Sequence, residues 1–455
     1  MAKLSIIIPV YNMSAQINQC LLTIRKTVRL PYEVIIVDDG SFANERVVIP
    51  AADDVCVLRT EEHHGFSHAV NMGIRASVGE VLLFLHADVL IAPHTAEDML
   101  DALIGDTARG AVCVVAPRTY EGTQYLPDTD YHSWEAFVAV AEDIRTRNRE
   151  KIFPLIVAEM FALMVRRDVV EAAGFLDEAY SVPALASYDY TVRMTRAGYE
   201  ICALPSVYIH HNDSVHAQDM ESYEQLRQRE RSLFYSKWGV SLDYSFQVRT
   251  DLFPMMDLSR EGLRILEIGC ACGATLRVIG TRNPSTRLYG VELNENAATI
   301  AAPFAKILSM NVEQLDPVDI PERFDYIIMG DVVEHLLEPW TAIHNMRELL
   351  VPGGAIIASI PNVAHLSNLY NVLCGRWTYE NMGLLDHTHF RFFTKSEIVK
   401  LFEGADLVID EIRAQQPPLE GDWKIFREEI LSLRSVHVNP EDLDTYQWLF
   451  RVQRA

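Results

Sequence analysis

The chain has 455 residues, 49% of them apolar and 23% charged, with a formal net charge of −23 at pH 7. This is globular composition, which excludes disorder, collagen-like repeats and coiled coil as global descriptions. The acidic excess is spread along the whole chain rather than gathered in a tail, and it repels phosphate backbones, so DNA and RNA are poor partners.

At about 150 residues per domain the length allows about three domains. Met1-Ala2-Lys3-Leu4 leads directly into a strand-like run, without the n-region and h-region of a signal peptide. No uninterrupted apolar stretch reaches the ~18–20 residues of a membrane helix. The seven cysteines are scattered, so a disulfide framework is not expected and a cytoplasmic location is. Cys270 and Cys272 are the one close pair. With no second pair to match, they do not read as a zinc site.

Short β-rich runs alternate with helical patterns throughout, which predicts α/β layering with largely parallel sheets. In the first half the predicted strands are Leu4–Val10, Val34–Asp39, Val55–Arg59, Val81–Leu85, Ala111–Ala116, Phe161–Val165 and Ile201–His210. Between the first two, Ser14 as N-cap and Ile17, Leu21, Ile24 and Val28 at helical spacing predict a helix. A polar helical segment then covers roughly Gln218–Lys237. Its Arg227, Arg229 and Arg231 would allow peripheral contact with an anionic membrane, but Glu224 and Glu230 interrupt them, so a solvated packing helix is the better reading. The second half predicts strands at Arg264–Gly269, Leu288–Leu293, Ile307–Val312, Tyr326–Met329, Ala355–Ile360, Leu407–Ile412 and Trp448–Val452. Pro339 suits the first turn of a helix, which Pro352-Gly353-Gly354 would stop. The expected domains are 1–240 and 241–455.

In the first half the informative residues fall at predicted strand ends, where ligands of open α/β sheets collect. They are Pro9-Val10-Tyr11-Asn12, Asp38-Asp39-Gly40-Ser41 and His86-Ala87-Asp88. An aspartate there can accept from a base N–H or a ribose hydroxyl, and a strand-end carboxylate beside phosphates suits Mg²⁺ or Mn²⁺. Gly174-Phe175-Leu176-Asp177-Glu178, Arg196-Ala197-Gly198-Tyr199, His210-His211 and Lys237-Trp238-Gly239 follow in order. This succession resembles the family 2 glycosyltransferases of the GT-A fold over about residues 3–239. The resemblance implies that Pro9, Tyr11, Asp38 and Asp39 hold the nucleoside of a nucleotide-diphosphate sugar. It implies that Asp88 holds a divalent metal on the diphosphate, with His210 or His211 completing the metal site. His86 stands at the first position of the D-x-D-like motif. The family's E-D-x-D base motif falls on Ala186-Ser187-Tyr188-Asp189, so the usual base is Ser187, which cannot deprotonate a hydroxyl at neutral pH. Asp189 would have to substitute, or the acceptor would need no strong base. His63, His64 and His68 read as loop or surface residues, with a phosphate or sugar contact as the lesser reading.

In the second half, Leu263-Arg264-Ile265-Leu266-Glu267-Ile268-Gly269-Cys270-Ala271-Cys272-Gly273 reads as a strand, an acid and a small-residue loop before a helix. Glu292 ends the next strand, one helix and one strand later, where a carboxylate can take both ribose hydroxyls. Asn311-Val312-Glu313 closes the third strand, and Gly330-Asp331-Val332-Val333-Glu334-His335 the fourth. This half resembles the class I S-adenosylmethionine-dependent methyltransferases over about residues 250–455, a Rossmann-like seven-stranded fold. The resemblance implies Glu267 near the methionine amino group, with Gly269 and Gly273 lining the loop. It implies Glu292 on the ribose, Asn311 and Val312 at the adenine, and Asp331 beginning the segment beside the methyl group. Leu407–Ile412 and Trp448–Val452 would form the closing antiparallel pair, leaving 416–445 as an insertion with a helix around Trp423–Leu433. Ser359-Ile360-Pro361-Asn362, Gly375-Arg376-Trp377 and the run Leu385–Thr394 are similar to methyltransferases that accompany bacterial surface-glycan glycosyltransferases. Methylation of a hydroxyl needs its proton removed, which makes His335, His387 and His389 candidate bases, His389 first and His335 second.

The expected function is a bifunctional transferase. It would add a sugar to a glycan, glycopeptide or lipid-linked acceptor and methylate a sugar hydroxyl. In the alternative, the first domain is a non-catalytic glycan-binding module for the methyltransferase, and Ala186-Ser187 favours that reading. Nucleic-acid methylation is disfavoured by charge. A homo-oligomer is compatible with the sequence.

Overall fold

Leu4–Val10 is apolar at nearly every position, a pattern for a strand with both faces covered. In the computed structural model it is β1, with only Pro9 partly open. The structure describes residues 4–49, 54–117, 124–126, 131–212, 220–435 and 438–454. The chain divides into two compact units, Met1–Phe246 and Gln247–Ala455.

The first unit continues with β2 (Tyr32–Asp39), β3 (Val55–Thr60), β4 (Val81–Leu85), β5 (Val89–Leu90), β6 (Arg109–Val115), β7 (Phe153–Leu155), β8 (Ala162–Arg166), β9 (Glu200–Tyr208) and β10 (His210–His211). The main sheet has the order β3-β2-β1-β4-β8-β6-β9-β7. β1, β2, β3 and β4 pair in parallel, so Val10, Asp39 and Leu85 end at one edge. The sheet is mixed rather than largely parallel, because β8 runs against both β4 and β6, and β7 against β9. Ile6, Ile8, Val34, Ile36 and Leu83 share one buried cluster with Ile17, Leu21 and Ile24 of the helix Ser14–Thr27. Burial of such side chains is worth roughly 1.5–3 kcal/mol each and supplies the main favourable term.

One expected strand needs correction. Ile201–His210 does not continue unbroken. β9 ends at Tyr208, and His210–His211 pairs antiparallel with β5 in a separate two-stranded sheet, His211 opposite Val89. That departure carries His211 beside Asp88. Strands as short as β5 and β7 show no periodicity in sequence.

The polar helix spans Met220–Trp238; its expected start at Gln218 lies outside the described residues. Glu230 is buried, and its two oxygens accept from Ser181 N at 2.7 Å and Val182 N at 3.0 Å, at the start of the helix Pro183–Arg196. Arg227 pairs with Glu224 at 2.8 Å and Arg231 with Asp243 at 2.5 Å, so two of the three arginines considered for a membrane surface are held by acids of their own domain.

The second unit contains β11 (Arg264–Ile268), β12 (Arg287–Glu292), β13 (Lys306–Ser309), β14 (Phe324–Gly330), β15 (Leu350–Pro361), β16 (Leu407–Gln415) and β17 (Gln447–Arg454). Their order is β13-β12-β11-β14-β15-β17-β16, parallel except at the β15–β17 and β16–β17 pairs. The helix Pro339–Glu348 ends before Pro352-Gly353-Gly354, which therefore does not stop it. That tripeptide lies inside β15, where a register shift opposite Phe324 and Tyr326 absorbs it. Within the insertion, the helix Asp422–Leu431 places Ile430 in a small core with Leu366 and Leu443.

Candidate functional site

In the first domain a cavity of about 240 Å³ opens at the carboxyl ends of β1, β2 and β4, lined by Pro9, Tyr11, Asp39, His63, His86 and Asp88 among others. Asp39 accepts from Thr60 Oγ1 at 2.9 Å, His64 N at 3.0 Å and Gly65 N at 2.7 Å, and His63 Nδ1 lies 2.9 Å away. Burial alone would raise its carboxyl. The bonds from His63, Gly65, Thr60 and His64 outweigh burial and hold it at about 2, so it is ionised at any working pH. Gly40 lets the chain turn there. Its φ is +73°, and a Cβ would stand 2.4 Å from the backbone carbon of Glu62.

The structure separates the two aspartates of this loop. Asp38 turns away from the cavity, accepts from Ser41 N and Val47 N at 3.1 Å each, and ion-pairs with Arg59. It shapes the loop and does not line the cavity, which corrects its expected nucleoside contact. His63 is no idle loop residue, since it lines the cavity with its ring stacked on Tyr11 at 3.8 Å.

His86, Asp88 and His211 converge, each offering one ligand atom within 4.8 Å of the others. His211 Nε2 lies 3.6 Å from Asp88 Oδ1. Burial and the neighbouring His211 push His86 well below the ordinary histidine range, so it is a neutral imidazole able to donate a lone pair. Two imidazoles and a carboxylate suit a first-row transition ion better than Mg²⁺, which prefers oxygen ligands; Mn²⁺, itself partial to oxygen, is the one of these that also suits the oxygens of a diphosphate. Of the two histidines left open by the sequence, His211 joins the group. His210 turns its ring to Tyr131 Oη at 2.6 Å and is not part of it.

The expected substitute base is also misplaced. Asp189 is 0% exposed and does not line the cavity. Its oxygens are taken by Arg193, Lys237 and Trp238. Ser187 donates to the carbonyl of Pro183 at 2.5 Å and accepts from Met160 N at 3.1 Å, a structural role.

In the second domain a cavity of about 360 Å³ is lined by Gly269, Glu292, Asn311, Val312, Asp331 and His335 among others. Glu292 ends β12 and accepts from Ala271 N and Asn294 N at 2.8 Å each, which holds its carboxylate against the loop after β11. Ala271 occupies the middle position of that loop with φ +47°, a glycine-like conformation. Glu267, next to last in β11, is buried and does not itself line this cavity, though its neighbours Ile268 and Gly269 do, and its Oε2 has no hydrogen-bond partner. Burial lifts its carboxyl to about 8. Asp331 has φ +54° and accepts from Ser359 Oγ at 2.9 Å, from Arg249 Nη1 at 2.7 Å and from Gln447. Asn311 spends its side-chain oxygen capping Glu313 N at 2.9 Å while still lining the cavity. Gly273 faces Ala301 and Phe304 rather than the cavity, and a Cβ there would meet them at 2.9 and 2.8 Å.

The rings of His335 and His389 meet at 4.7 Å. Burial and the neighbouring His335 lower His389, keeping it neutral. His387 is exposed, bonds the carbonyl of Glu380, and stands apart from this pair. Among the described residues, Cys270 and Cys272 join no metal-competent group.

Residues 5–173 match the family model for glycosyl transferase family 2, and residues 245–412 match a methyltransferase-domain model. The chain is a fusion of a family 2 glycosyltransferase domain and a methyltransferase domain. Its methyltransferase domain is 29% identical over 189 residues to a ubiquinone biosynthesis O-methyltransferase of Cereibacter sphaeroides, covering 39% of this chain and 72% of the relative. The protein of that name from Alkalilimnicola ehrlichii is 28% identical over 173 residues, covering 36% of this chain and 69% of the relative. Among solved structures, a mannosyltransferase from Pyrobaculum calidifontis in complex with GDP-Man and Mn²⁺ aligns with 52% of this chain and 64% of its own, at 18% identity and TM-score 0.37.

Two features of the fusion's sites escaped the sequence. In the glycosyltransferase domain, His86 stands two residues before Asp88 in sequence, but only its burial beside His211 brings it into a group able to hold a metal. In the methyltransferase domain, nothing in the sequence singled out Glu334, whose burial is a tertiary fact. No described helix of either domain is long and apolar enough to cross a membrane.

Proposed function

We propose that the protein is a bifunctional transferase, with a nucleotide-sugar-dependent glycosyltransferase in residues 1–240 and an S-adenosylmethionine-dependent O-methyltransferase of sugar hydroxyls in residues 241–455. The observation that carries the first half is the buried His86–Asp88–His211 group opening beside Asp39. A module that only bound glycan would have no use for a metal-competent group next to a nucleoside pocket. Mn²⁺ held there would neutralise charge on the departing nucleoside diphosphate. Tyr11, His63 and Asp39 would take the nucleoside, the rings by stacking and the carboxylate by accepting N–H or hydroxyl donors.

In the second half the fit to S-adenosylmethionine rests on Glu267. A buried carboxylate oxygen without a partner is costly, and the amino group of the methyl donor would satisfy it. Glu292 would accept from the ribose hydroxyls and Asn311–Val312 would border the adenine. Bound there, S-adenosylmethionine supplies an electrophilic methyl group. The protein orients the acceptor hydroxyl beside His335 and His389, which manage its proton. Seven free cysteines support the cytoplasm as the compartment, where both donors are available.

The second reading, a catalytically silent first domain, is favoured by one specific observation. Asp189 is locked in ion pairs and Ser187 is consumed by backbone contacts, so neither stands as an acceptor base. Hydrolysis of nucleotide sugars with Mn²⁺, compared between wild type and Asp88→Ala, decides. Metal-dependent turnover lost in the variant supports the bifunctional reading, and no turnover of any nucleotide sugar supports the binding module.

A further inference from the structure

In the methyltransferase domain a loop joins the helix Leu366–Leu373 to the helix Lys395–Glu403. It carries a row of aromatic rings that neither transfer uses. Trp377 is 43% exposed and Tyr379 is 53% exposed. Both lean on Phe392, with ring centres 5.3 and 6.4 Å from its own. Phe392 lies 6.2 Å from His389, and His335, next to His389, lines the methyl-donor cavity. One continuous row of rings thus runs from the cavity to the surface. Large exposed aromatics gathered on one loop mark a surface that is covered in use.

The row is rigid. Trp377 and Phe392 cross at 77°, the edge-to-face contact that aromatic pairs prefer. The loop closes on itself, Glu380 N donating to the carbonyl of Leu385 at 3.0 Å and His387 N to that of Glu380 at 2.9 Å. Farther along, Phe390 N donates to the carbonyl of Glu334 and Val363 N to that of Phe393, at 2.9 Å each. These bonds tie the loop to the turn after β14 and to the segment after β15. Side chains held in advance lose little entropy when a ligand arrives.

Charge and ring type indicate what covers the row. An anionic membrane attracts clusters of lysine and arginine. Residues 241–455 instead hold 19 basic and 30 acidic side chains, and on this loop Arg376 and Arg391 are balanced by Glu380 and Asp386. A second copy of the chain would bring the same acidic surface against itself. A neutral sugar meets neither penalty. One face of a pyranose is a set of C–H bonds with positive hydrogen ends, which fits the negative face of an indole or phenol ring. Its hydroxyls lie around the rim, and Arg376, Glu380 and His387, all exposed on the same loop, bring donors and acceptors for them.

We infer that Trp377 and Tyr379, backed by Phe392, form a stacking subsite for the sugar unit next to the one that is methylated. Phe392 is the ring that both Trp377 and His389 touch, so a sugar whose hydroxyl meets the histidines leaves Trp377 to its neighbour. The acceptor is therefore the end of an oligosaccharide chain rather than a free monosaccharide. The inference deepens the reading of this domain as a sugar O-methyltransferase and rests on it.

The test measures binding of the full chain to an array of defined neutral mono-, di- and trisaccharides, wild type beside Trp377→Ala and Trp377→Phe. Wild type should hold at least one di- or trisaccharide about tenfold more tightly than its terminal monosaccharide, the weight of one aromatic anchor. Trp377→Ala should erase that preference for length, and Trp377→Phe should keep most of it. Calorimetric binding of S-adenosylmethionine should be equal in all three proteins and so report an intact domain. An array that holds no glycan, with the methyl donor still bound, overturns the subsite and leaves the methyltransferase reading standing. A length preference unchanged in Trp377→Ala also overturns it. Trp377-dependent co-sedimentation with phosphatidylcholine–phosphatidylglycerol vesicles, without glycan binding, overturns it in favour of a lipid contact. A Trp377-dependent dimer in analytical ultracentrifugation, without glycan binding, overturns it in favour of a contact between copies. Trp377-dependent glycan binding without methyl-donor binding supports the subsite and overturns the methyltransferase reading instead.

Discussion

Trp238 Nε1–H donates to Oδ1 of Asp189 at 2.9 Å, and Lys237 Nζ lies 2.6 Å from the same oxygen. Arg193 Nε occupies Oδ2 at 3.1 Å. Both oxygens are engaged, so this carboxylate clamps the end of the helix Met220–Trp238 to the helix Pro183–Arg196, buried where no acceptor reaches it from the cavity.

A stability effect without a catalytic one follows for Asp189. Asp189→Ala leaves Arg193 without its carboxylate while Lys237 keeps Asp177, and should cost about 3 kcal/mol of first-domain stability. Asp189→Asn keeps an acceptor for Trp238 and should cost about 1–3 kcal/mol. Donor hydrolysis per folded molecule should stay within a few-fold of wild type. Urea unfolding followed by tryptophan fluorescence, alongside the hydrolysis assay, checks both. A catalytic loss above tenfold at unchanged stability contradicts the clamp.

Metal dependence should show the donor set. Chelation should stop nucleotide-sugar turnover, and Mn²⁺ should restore it better than Mg²⁺ because two of the three ligands are nitrogen. His86→Ala should raise the Mn²⁺ concentration for half activity by at least the ~10–100-fold that loss of even an outer-shell partner costs. Equal rescue by Mg²⁺ and Mn²⁺ would argue against imidazole ligation.

Glu267 sets a pH dependence with a definite sign. Its carboxyl titrates at about 8 in the folded domain against 4.5 as the ordinary value, because of burial. Between these values the unfolded chain releases a proton that the folded one keeps, so ligand-free stability falls as pH rises from 4.5 to 8. Glu267→Gln cannot ionise and removes that slope. The variant should melt a few degrees, roughly, above wild type at pH 8 and level with it near pH 4. It should also bind S-adenosylmethionine about 10–100-fold more weakly, since a hydrogen bond to a charged group is lost. Thermal melts of the ligand-free protein across pH, with calorimetric titration of the methyl donor, read both effects. A variant that binds as tightly as wild type removes Glu267 from the site.

Ala271 holds φ +47° in the loop after β11, in the left-handed region. For a residue with a Cβ that conformation costs about 1 kcal/mol or slightly more. Ala271→Gly should therefore raise second-domain stability by up to ~1 kcal/mol, partly offset by greater freedom of the unfolded chain. Ala271→Val should lower it. Midpoints of denaturant unfolding measure both, and a glycine variant clearly less stable than wild type contradicts the strain.

The sequence alone determined the two α/β domains and the ligand-bearing edge of each sheet. Buried parallel strands need continuous apolar runs, and Leu4–Val10 and Tyr326–Met329 stand out for that reason. Asp39, Asp88, Glu267 and Glu292 were legible because each sits at or just past the end of such a run. Neighbouring residues are harder. Asp38 and Asp39 look alike in sequence, but side chains alternate faces along a strand, so one meets Arg59 and the other the cavity. His210 and His211 divide in the same way between Tyr131 and Asp88.

Only the tertiary structure decided which polar groups are spent and which remain available. Asp189 lost its candidacy to Trp238, a residue 49 positions away. Glu334 is buried because the distant segment carrying Phe390 and Arg391 returns to it and bonds its carbonyl. Hydrogen bonds and burial between segments far apart in sequence have no local signature. The strand ends were therefore readable from the residues, while the chemical state of the side chains on them was not.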